Sequence, residues 1–288
     1  MRETSLLVDL LTPDYGVTRV VARGARSARS RVRPMIQPFR PLLVSWVGRH
    51  DLKTLAGLEE QGRPCQLAGL ELASAYYLNE LLLQLLPPDA PCPTVFASYA
   101  RTLDLLSNLS AQPQQRQKQQ QQQQPDAYNE AIEIGLRLFE LELLDTLGLV
   151  PDFANCRRAT GANLSAAALS AALTVEADKR YRYYPEAGYA VDILEADAAA
   201  GNGDTGQVRD TENDAADFHN APNALPSVEV GGETLLALGS RQLQSKQVLR
   251  EAKQVMRRQI GQHLGGKPLK SREMIAFYTA SRKDPADE

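Results

Sequence analysis

Short runs of alternating apolar and polar residues near the N-terminus predict β-strands. Residues 4–11 are apolar and β-prone, residues 12–16 have turn composition, and residues 17–23 alternate Val with polar side chains. Residues 41–47 and 52–58 have the same β-prone character. Four short strands within the first 60 residues predict a small barrel or sandwich.

From residue 70 onward the apolar period becomes helical. Helices are predicted over residues 70–86, 94–109, 128–147, 245–264 and 268–279, with a weaker one over 164–173. A turn at 185–188 predicts a hairpin of residues 180–184 and 189–193. The change of period predicts an α+β protein with a strand-rich domain at residues 1–66 and a mainly helical domain at 67–288.

Two segments lack the composition of a packed core. Residues 112–125 are mostly Gln and predict a solvated spacer. Residues 195–226 are rich in Asp, Ala, Gly and Asn, with almost no large apolar side chains, so that burial cannot offset their ordering entropy. This second segment is predicted to be a disordered acidic loop.

Composition excludes several classes of protein. The three cysteines, Cys65, Cys92 and Cys156, have unrelated spacings that predict neither a disulfide framework nor a zinc site. No stretch reaches the ~20 apolar residues of a membrane helix, and no apolar signal core opens the chain. We therefore expect a cytoplasmic protein with no membrane association, metal or cofactor.

Positive charge is concentrated in one stretch, residues 17–50, which contains eight Arg and no Lys, Asp or Glu. The whole chain has a net charge of -3, so the remaining residues carry -11. Guanidinium groups bind phosphates through paired hydrogen bonds and also stack on bases. The predicted DNA-binding residues are Arg19, Arg23, Arg26, Arg29, Arg31 and Arg33. Two alternatives stay open: a solvated charged loop, and a surface that grips an acidic protein tail.

Sequence motifs for catalysis are weak. Residues 261–267, GQHLGGK, match the first part of a phosphate-binding P-loop, but Pro268 replaces the magnesium-binding Ser or Thr. The motif also leaves a predicted helix, where a P-loop must leave a strand, so its glycines are predicted to cap that helix. The histidines His50, His219 and His263 lie far apart in the sequence. We expect no enzymatic activity.

Four ordered blocks carry a family resemblance. They are residues 2–46 (RETSLLVDLLTPDYGVTRVVARGARSARSRVRPMIQPFRPLLVSW), 137–156 (RLFELELLDTLGLVPDFANC), 181–189 (YRYYPEAGY) and 264–274 (LGGKPLKSREM). Together they resemble the bacterial DNA repair protein family RecO. The likeness leaves out the Gln-rich spacer and the acidic loop.

The resemblance implies an N-terminal OB-fold, a helical C-terminal domain and a recombination mediator without chemistry of its own. Such a protein works with RecR to load RecA onto single-stranded DNA covered by single-strand-binding protein, and anneals complementary strands. It implies binding to single- and double-stranded DNA. Family members usually carry a further segment that forms the first barrel strand, so a truncated barrel is expected here. Many also bind zinc through four cysteines, of which only Cys156 remains.

The resemblance also implies a docking site for the acidic tail of single-strand-binding protein, which ends in apolar residues. Such a tail needs cations beside an apolar groove. The predicted partner-binding residues are Arg258, Lys267, Lys270, Arg272, Leu136 and Phe139. For Leu136 and Phe139 the alternative is an ordinary position in the core.

Overall fold

A computed structural model describes residues 4–48, 53–111, 125–158, 171–185, 189–192 and 227–280. Most of the predicted Gln-rich spacer and all of the predicted acidic loop lie outside these residues. The chain divides into two compact units, one of Met1–Leu149 with Gly266–Glu288 and the other of Val150–Gly265. The boundary predicted between residues 66 and 67 falls inside the first unit and stays a prediction.

The first unit begins with a four-stranded sheet. Its strands are β1 (Leu6–Thr12), β2 (Gly16–Ala22), β3 (Leu42–Val47) and β4 (Lys53–Glu60). They lie in the order β1-β2-β4-β3, with β2 and β4 parallel and the other pairs antiparallel. The four predicted strands are confirmed. This mixed, Greek-key-like order gives the N-terminal region an OB-like arrangement in an α+β fold.

The helices of the first unit are α1 (Gly69–Leu85), α2 (Pro93–Ser110), α3 (Pro125–Thr146) and, after the second unit, α6 (Lys270–Ala280). Each of these four predicted helices is confirmed within a few residues. Helix α1 ends before Pro87 and Pro88, and Pro93 opens α2, where its missing N–H has no intrahelical partner to lose. Leu78, Leu106 and Phe139 are fully buried among these helices.

The loop between α1 and α2 fixes the start of β2. The backbone N–H of Asp89 donates to the carbonyl of Val17 over 3.0 Å. The carboxylate of Asp89 accepts from Thr18 at 2.8 Å and from Lys53 at 2.6 Å. One carboxylate therefore connects β2 and β4, the two central strands of the sheet.

The second unit contains a five-stranded sheet in the order β6-β5-β8-β7-β9. Its strands are β5 (Asn155–Arg158), β6 (Ala171–Thr174), β7 (Arg180–Tyr184), β8 (Tyr189–Asp192) and β9 (Val228–Gly231), and its helices are α4 (Gly232–Ser240) and α5 (Lys246–His263). The antiparallel pairing of β7 with β8 confirms the predicted hairpin, and α5 confirms the predicted helix of 245–264.

The weak helix predicted over 164–173 is wrong in its last three residues. Residues 171–173 lie in β6, which pairs with β5, while residues 164–170 lie outside the described part of the chain. The alanines of this segment favour a helix, but its backbone groups instead pair with those of β5 in an antiparallel sheet. The sequence did not predict strands β5 and β9 or helix α4. Within the described ranges, no helix is both long and apolar enough to cross a bilayer.

Candidate nucleic-acid interface

The sheet of the first unit positions Arg19, the first of the predicted DNA-binding residues. Gly16, Thr18, Val20 and Ala22 are buried on one face of β2, so Arg19 lies on the opposite, exposed face. It is directly opposite Asp9 on β1, and its side chain is 54% exposed. The hydrogen bond to Asp9, followed by their Coulomb attraction, raises the pKa of Arg19.

A loop of successive turns carries the other five arginines. Gly24 has a positive φ of 70°, which suits glycine at the end of β2. Ala25 is 1% exposed and anchors the loop, and the N–H of Arg26 donates to the carbonyl of Thr4 over 2.8 Å. Farther along, the Ser30 hydroxyl accepts from the N–H of Arg33 at 3.2 Å. Small residues thus fold the backbone and leave the arginines at the surface.

We call Arg23, Arg26, Arg29, Arg31 and Arg33 the arginine loop. All five side chains are exposed. None forms an ion pair with a carboxylate in the part of the chain that the structure describes. An ordered backbone with five unneutralised guanidinium groups can bind several phosphates at once, and each contact releases a counterion.

Arg40, at the far end of the same sequence stretch, has a different role. Its guanidinium donates to Glu60 on β4 at 2.7 Å and to the carbonyl of Pro34 at 3.3 Å. Its side chain is only 16% exposed. Arg40 therefore anchors the segment that ends at β3 to the sheet, and little of its charged side chain is exposed for ligand binding.

Three of the predicted partner-binding cations lie in the first turn of α6 or just before it. Lys267 and Lys270 are exposed, whereas Arg272 is half-buried with its guanidinium carbon 5.9 Å from the centre of the Tyr77 ring. Glu80 on α1 accepts from the backbone N–H groups of Lys270 at 3.0 Å and Ser271 at 2.9 Å. This carboxylate satisfies donors at the N-terminus of α6 and fixes the helix on α1.

The remaining predicted partner residues are distributed differently. Leu136 is 3% exposed and Phe139 is fully buried, so both contribute to the core of the first unit. Their burial supports the core role that the sequence left open. Arg258 is exposed on α5, which belongs to the second unit.

Sequence reasoning missed the exposed apolar residues of α6. Met274 is 38% exposed and Phe277 is 65% exposed. With Lys270 they occupy positions i, i+4 and i+7, which lie on one face of a helix. That spacing is visible in the sequence, and it places apolar side chains beside a cation on the surface of α6.

A buried carboxylate, that of Glu140, joins α1 to α3. Glu140 is 1% exposed and accepts from Tyr77 and from Arg137, each at 2.5 Å. Burial raises the pKa of Glu140, and the neighbouring Arg137 opposes that shift. The hydrogen bond from Tyr77 on α1 to Glu140 on α3 therefore joins the two helices, whereas the ion pair of Arg137 with Glu140 lies within α3.

We also looked for a metal site and for a phosphate-binding P-loop. Among the described residues, no group of three or more His, Cys, Asp or Glu side chains could hold a metal ion. The GQHLGGK motif spans the end of α5, whose last residue is His263, and Gly265 and Gly266 both have positive φ, as expected for glycines that end a helix. A P-loop geometry, with a strand before the glycines, is absent there.

Comparison with protein families matches both parts of the chain. Residues 1–60 match the family described as "Recombination protein O N terminal", and residues 125–273 match "Recombination protein O C terminal". The segment between them includes α1 and α2.

Whole-chain relatives agree with these matches. The chain is 31% identical over 283 residues to DNA repair protein RecO of Serratia proteamaculans, covering 98% of this chain and 91% of the relative. It is 36% identical over 274 residues to DNA repair protein RecO of Methylococcus capsulatus, covering 95% and 87%. It is also 36% identical over 287 residues to the protein of the same name from Nitrosococcus oceani, covering 98% and 92%.

Proposed function

The chain belongs to the RecO family, which acts in DNA repair and recombination, and on this premise we propose that it is a DNA-binding recombination mediator without catalytic activity. The observation that carries the proposal is the arginine loop on an OB-like sheet. OB-folds track single strands with a basic groove, and arginine provides both charge and a stacking surface.

We further propose that the protein binds single- and double-stranded DNA and acts in the cytoplasm with RecR. It helps to load RecA onto single strands covered by single-strand-binding protein, and it anneals complementary strands. The acidic tail of single-strand-binding protein is proposed to dock at Lys267, Lys270 and Arg272 in the first unit, and Arg258, which belongs to the second unit, is proposed separately as a partner-binding residue. The exposed Met274 and Phe277 supply the apolar contacts, while Leu136 and Phe139 support the surface from the core.

The DNA site is tested by titrating a fluorescent oligonucleotide at several salt concentrations. The arginine loop and Arg19 together offer about six phosphate contacts, so log affinity should fall against log salt with a slope near -4, at about 0.7 per contact. The triple variant Arg26→Ala, Arg29→Ala and Arg31→Ala should flatten that slope by about 2.

The matched control is the triple variant with Lys at the same three positions, which keeps the charge and should keep most of the slope. An unchanged slope in the Ala variant would remove the arginine loop from the DNA site. If oligonucleotide binding is unaffected while an acidic peptide no longer binds, the loop serves an acidic protein partner.

The docking site is tested with a fluorescent peptide of the acidic tail. Lys267→Ala, Lys270→Ala and Arg258→Ala should each weaken binding, with circular dichroism to confirm folding. Lys179→Ala is a control, because Lys179 pairs with Glu176 away from these positions in the sequence. Weakening of less than about threefold, roughly 0.6 kcal/mol, in every folded variant would place the docking site elsewhere.

A further inference from the structure

The chain changes from basic to apolar and aromatic directly after the arginine loop. Residues 34–39, PMIQPF, carry no charged side chain, and Met35, Ile36 and Phe39 are each only half-buried. A ligand that lies along this stretch meets guanidinium groups first and apolar side chains next. That order of chemistry matches an unpaired nucleic-acid strand, whose phosphates are anionic and whose bases have aromatic faces.

Phe39 ends this segment with an uncommon backbone conformation. Its φ is 61°, in the left-handed region that is strained for a residue with a Cβ. The carbonyl of Phe39 accepts from the N–H of Cys65 at 3.2 Å, and the neighbouring Arg40 donates to the carbonyl of Pro34 at 3.3 Å. The segment is thus folded back on itself, which places Phe39 close to the end of the arginine loop.

The ring of Phe39 packs against that of Tyr76 on α1, within the first unit. The ring centroids are 5.1 Å apart and the ring planes are inclined at 72°, which is an edge-to-face contact. Tyr76 is 37% exposed, although its neighbours in the helix, Ala75 and Tyr77, are buried. The pair therefore offers aromatic surface to solvent beside the arginine loop.

Another exposed ring pair lies away from the arginine loop. Tyr15 is 54% exposed and its ring centroid is 5.1 Å from that of Trp46. The arginine loop follows β2 at Ala22, whereas Tyr15 precedes the opposite end of that strand at Gly16. A strand of 7 residues with a rise of about 3.3 Å per residue is about 20 Å long. Tyr15 is therefore a matched control for Tyr76.

We propose that Phe39 and Tyr76 form a stacking platform for an unpaired base, which makes the DNA site prefer single strands to duplexes. The arginine loop binds the phosphates of either form, but a duplex buries the faces of its bases in its own stack. Only a single strand therefore gains the aromatic contact. The inference rests on the proposed DNA-binding function, because it names the form of DNA that the same site prefers.

The test titrates the full chain against three fluorescent ligands: a single-stranded oligonucleotide, an abasic strand with the same number of phosphates, and a duplex of the first strand. Tyr76→Leu removes an aromatic face but no phosphate contact. This variant should therefore bind the base-bearing strand about tenfold more weakly than the parent, roughly 1.4 kcal/mol. Its affinity for the abasic strand and the duplex, and its salt slope, should equal those of the parent.

Control variants separate stacking from folding. Tyr76→Phe keeps a ring at the same position and should bind all three ligands as the parent does. Tyr15→Leu removes an exposed ring at the other end of β2 and should leave the preference for the base-bearing strand intact. Circular dichroism and urea denaturation show whether each variant folds. If Tyr76→Leu does not fold, Phe39→Leu removes the other ring of the platform and should show the same selective loss.

The outcomes distinguish this inference from the proposed function. Equal weakening of all three ligands by Tyr76→Leu would mean that Tyr76 only positions the loop, and it overturns the platform. Unchanged binding of the base-bearing strand, or an equal loss in Tyr15→Leu, also overturns it. A parent that binds DNA but does not distinguish the base-bearing strand from the abasic one overturns the platform and leaves the DNA-binding proposal intact. A parent that binds none of the three ligands overturns both.

Discussion

Arg19 and Asp9 face each other across β2 and β1, with 2.6 Å between Nε of Arg19 and Oδ1 of Asp9. A second bond of 3.2 Å joins Nη2 to Oδ2. These two parallel hydrogen bonds stabilise the ion pair relative to a solvent-separated arrangement of the two side chains. Arg19 therefore differs from the arginine loop, because a phosphate ligand would have to compete with the carboxylate of Asp9.

Asp9→Asn should strengthen DNA binding. The change releases Arg19 from its ion pair, so oligonucleotide affinity should rise by about threefold, roughly 0.6 kcal/mol. The salt slope should stay near -4, because the contact of Arg19 is already one of the six and only becomes stronger. Asp14→Asn is the matched control, since it removes the same charge from a neighbouring exposed turn. Equal effects of the two substitutions would mean that net charge, and not the release of Arg19, sets the affinity.

Gly16→Ala should destabilise the first unit severely. Gly16 has a φ of 61°, and an added Cβ would lie 1.9 Å from the carbonyl oxygen of Ala90, a backbone atom that cannot move alone. We expect a loss of at least about 3 kcal/mol in the free energy of unfolding, measured by urea denaturation.

Gly24→Ala is the control for the backbone conformation alone. Gly24 has a similar φ of 70°, but nothing lies within 4 Å of an added Cβ. Its cost should be about 1–2 kcal/mol, the penalty of the left-handed conformation. If both substitutions cost the same, the close approach of Ala90 contributes nothing.

Glu251→Ala should cost far more stability than removal of its ionic partner. The substitution leaves the N–H of Gly231 and the hydroxyl of Thr234 without their acceptor inside the second unit. We expect a loss of about 3 kcal/mol, measured by chemical denaturation.

Arg180→Ala tests whether the ion pair or the neutral donors dominate. The side chain of Arg180 is 50% exposed, so its pair with Glu251 is screened by solvent and should contribute less than about 1 kcal/mol. Similar losses from the two substitutions would contradict this ranking.

The sequence predicted those features that local patterns encode. The four strands follow from alternation on a half-buried sheet, and the arginine loop follows from charge composition. The parallel pairing of β2 with β4 depends on contacts between distant segments, which no local window contains. The same limit applies to residues 171–173, where pairing with β5 overrides a helical preference. The functional role of the arginine loop stays a prediction, because charge alone does not name the ligand.

Long-range contacts also explain why the sequence predicts only part of the proposed docking site. The cations near Lys270 are evident in the sequence, but the burial of Phe139 depends on packing between helices. The exposure of Phe277 depends equally on which face of α6 meets α1. The sequence therefore predicts Leu136 and Phe139 as apolar partner residues from a helical periodicity that is equally typical of a core helix.

Glu80→Gln should loosen α6 in a manner that depends on pH. Burial raises the pKa of Glu80, but hydrogen bonds from Ser271 and Lys270 outweigh it, so the pKa is lowered in the folded protein. A carboxylate whose pKa is lowered on folding stabilises the folded protein fully at pH values above its unfolded pKa of about 4.3. This stabilisation is lost as the pH falls through the folded pKa. At pH 7 the variant should therefore lose about 1–2 kcal/mol of protection against amide hydrogen exchange over α6, and the difference from the parent should shrink below about pH 4. Glu273→Gln, an exposed carboxylate on α6 itself, should show no such convergence. A constant difference across this pH range would mean that the charge of Glu80 does not hold α6.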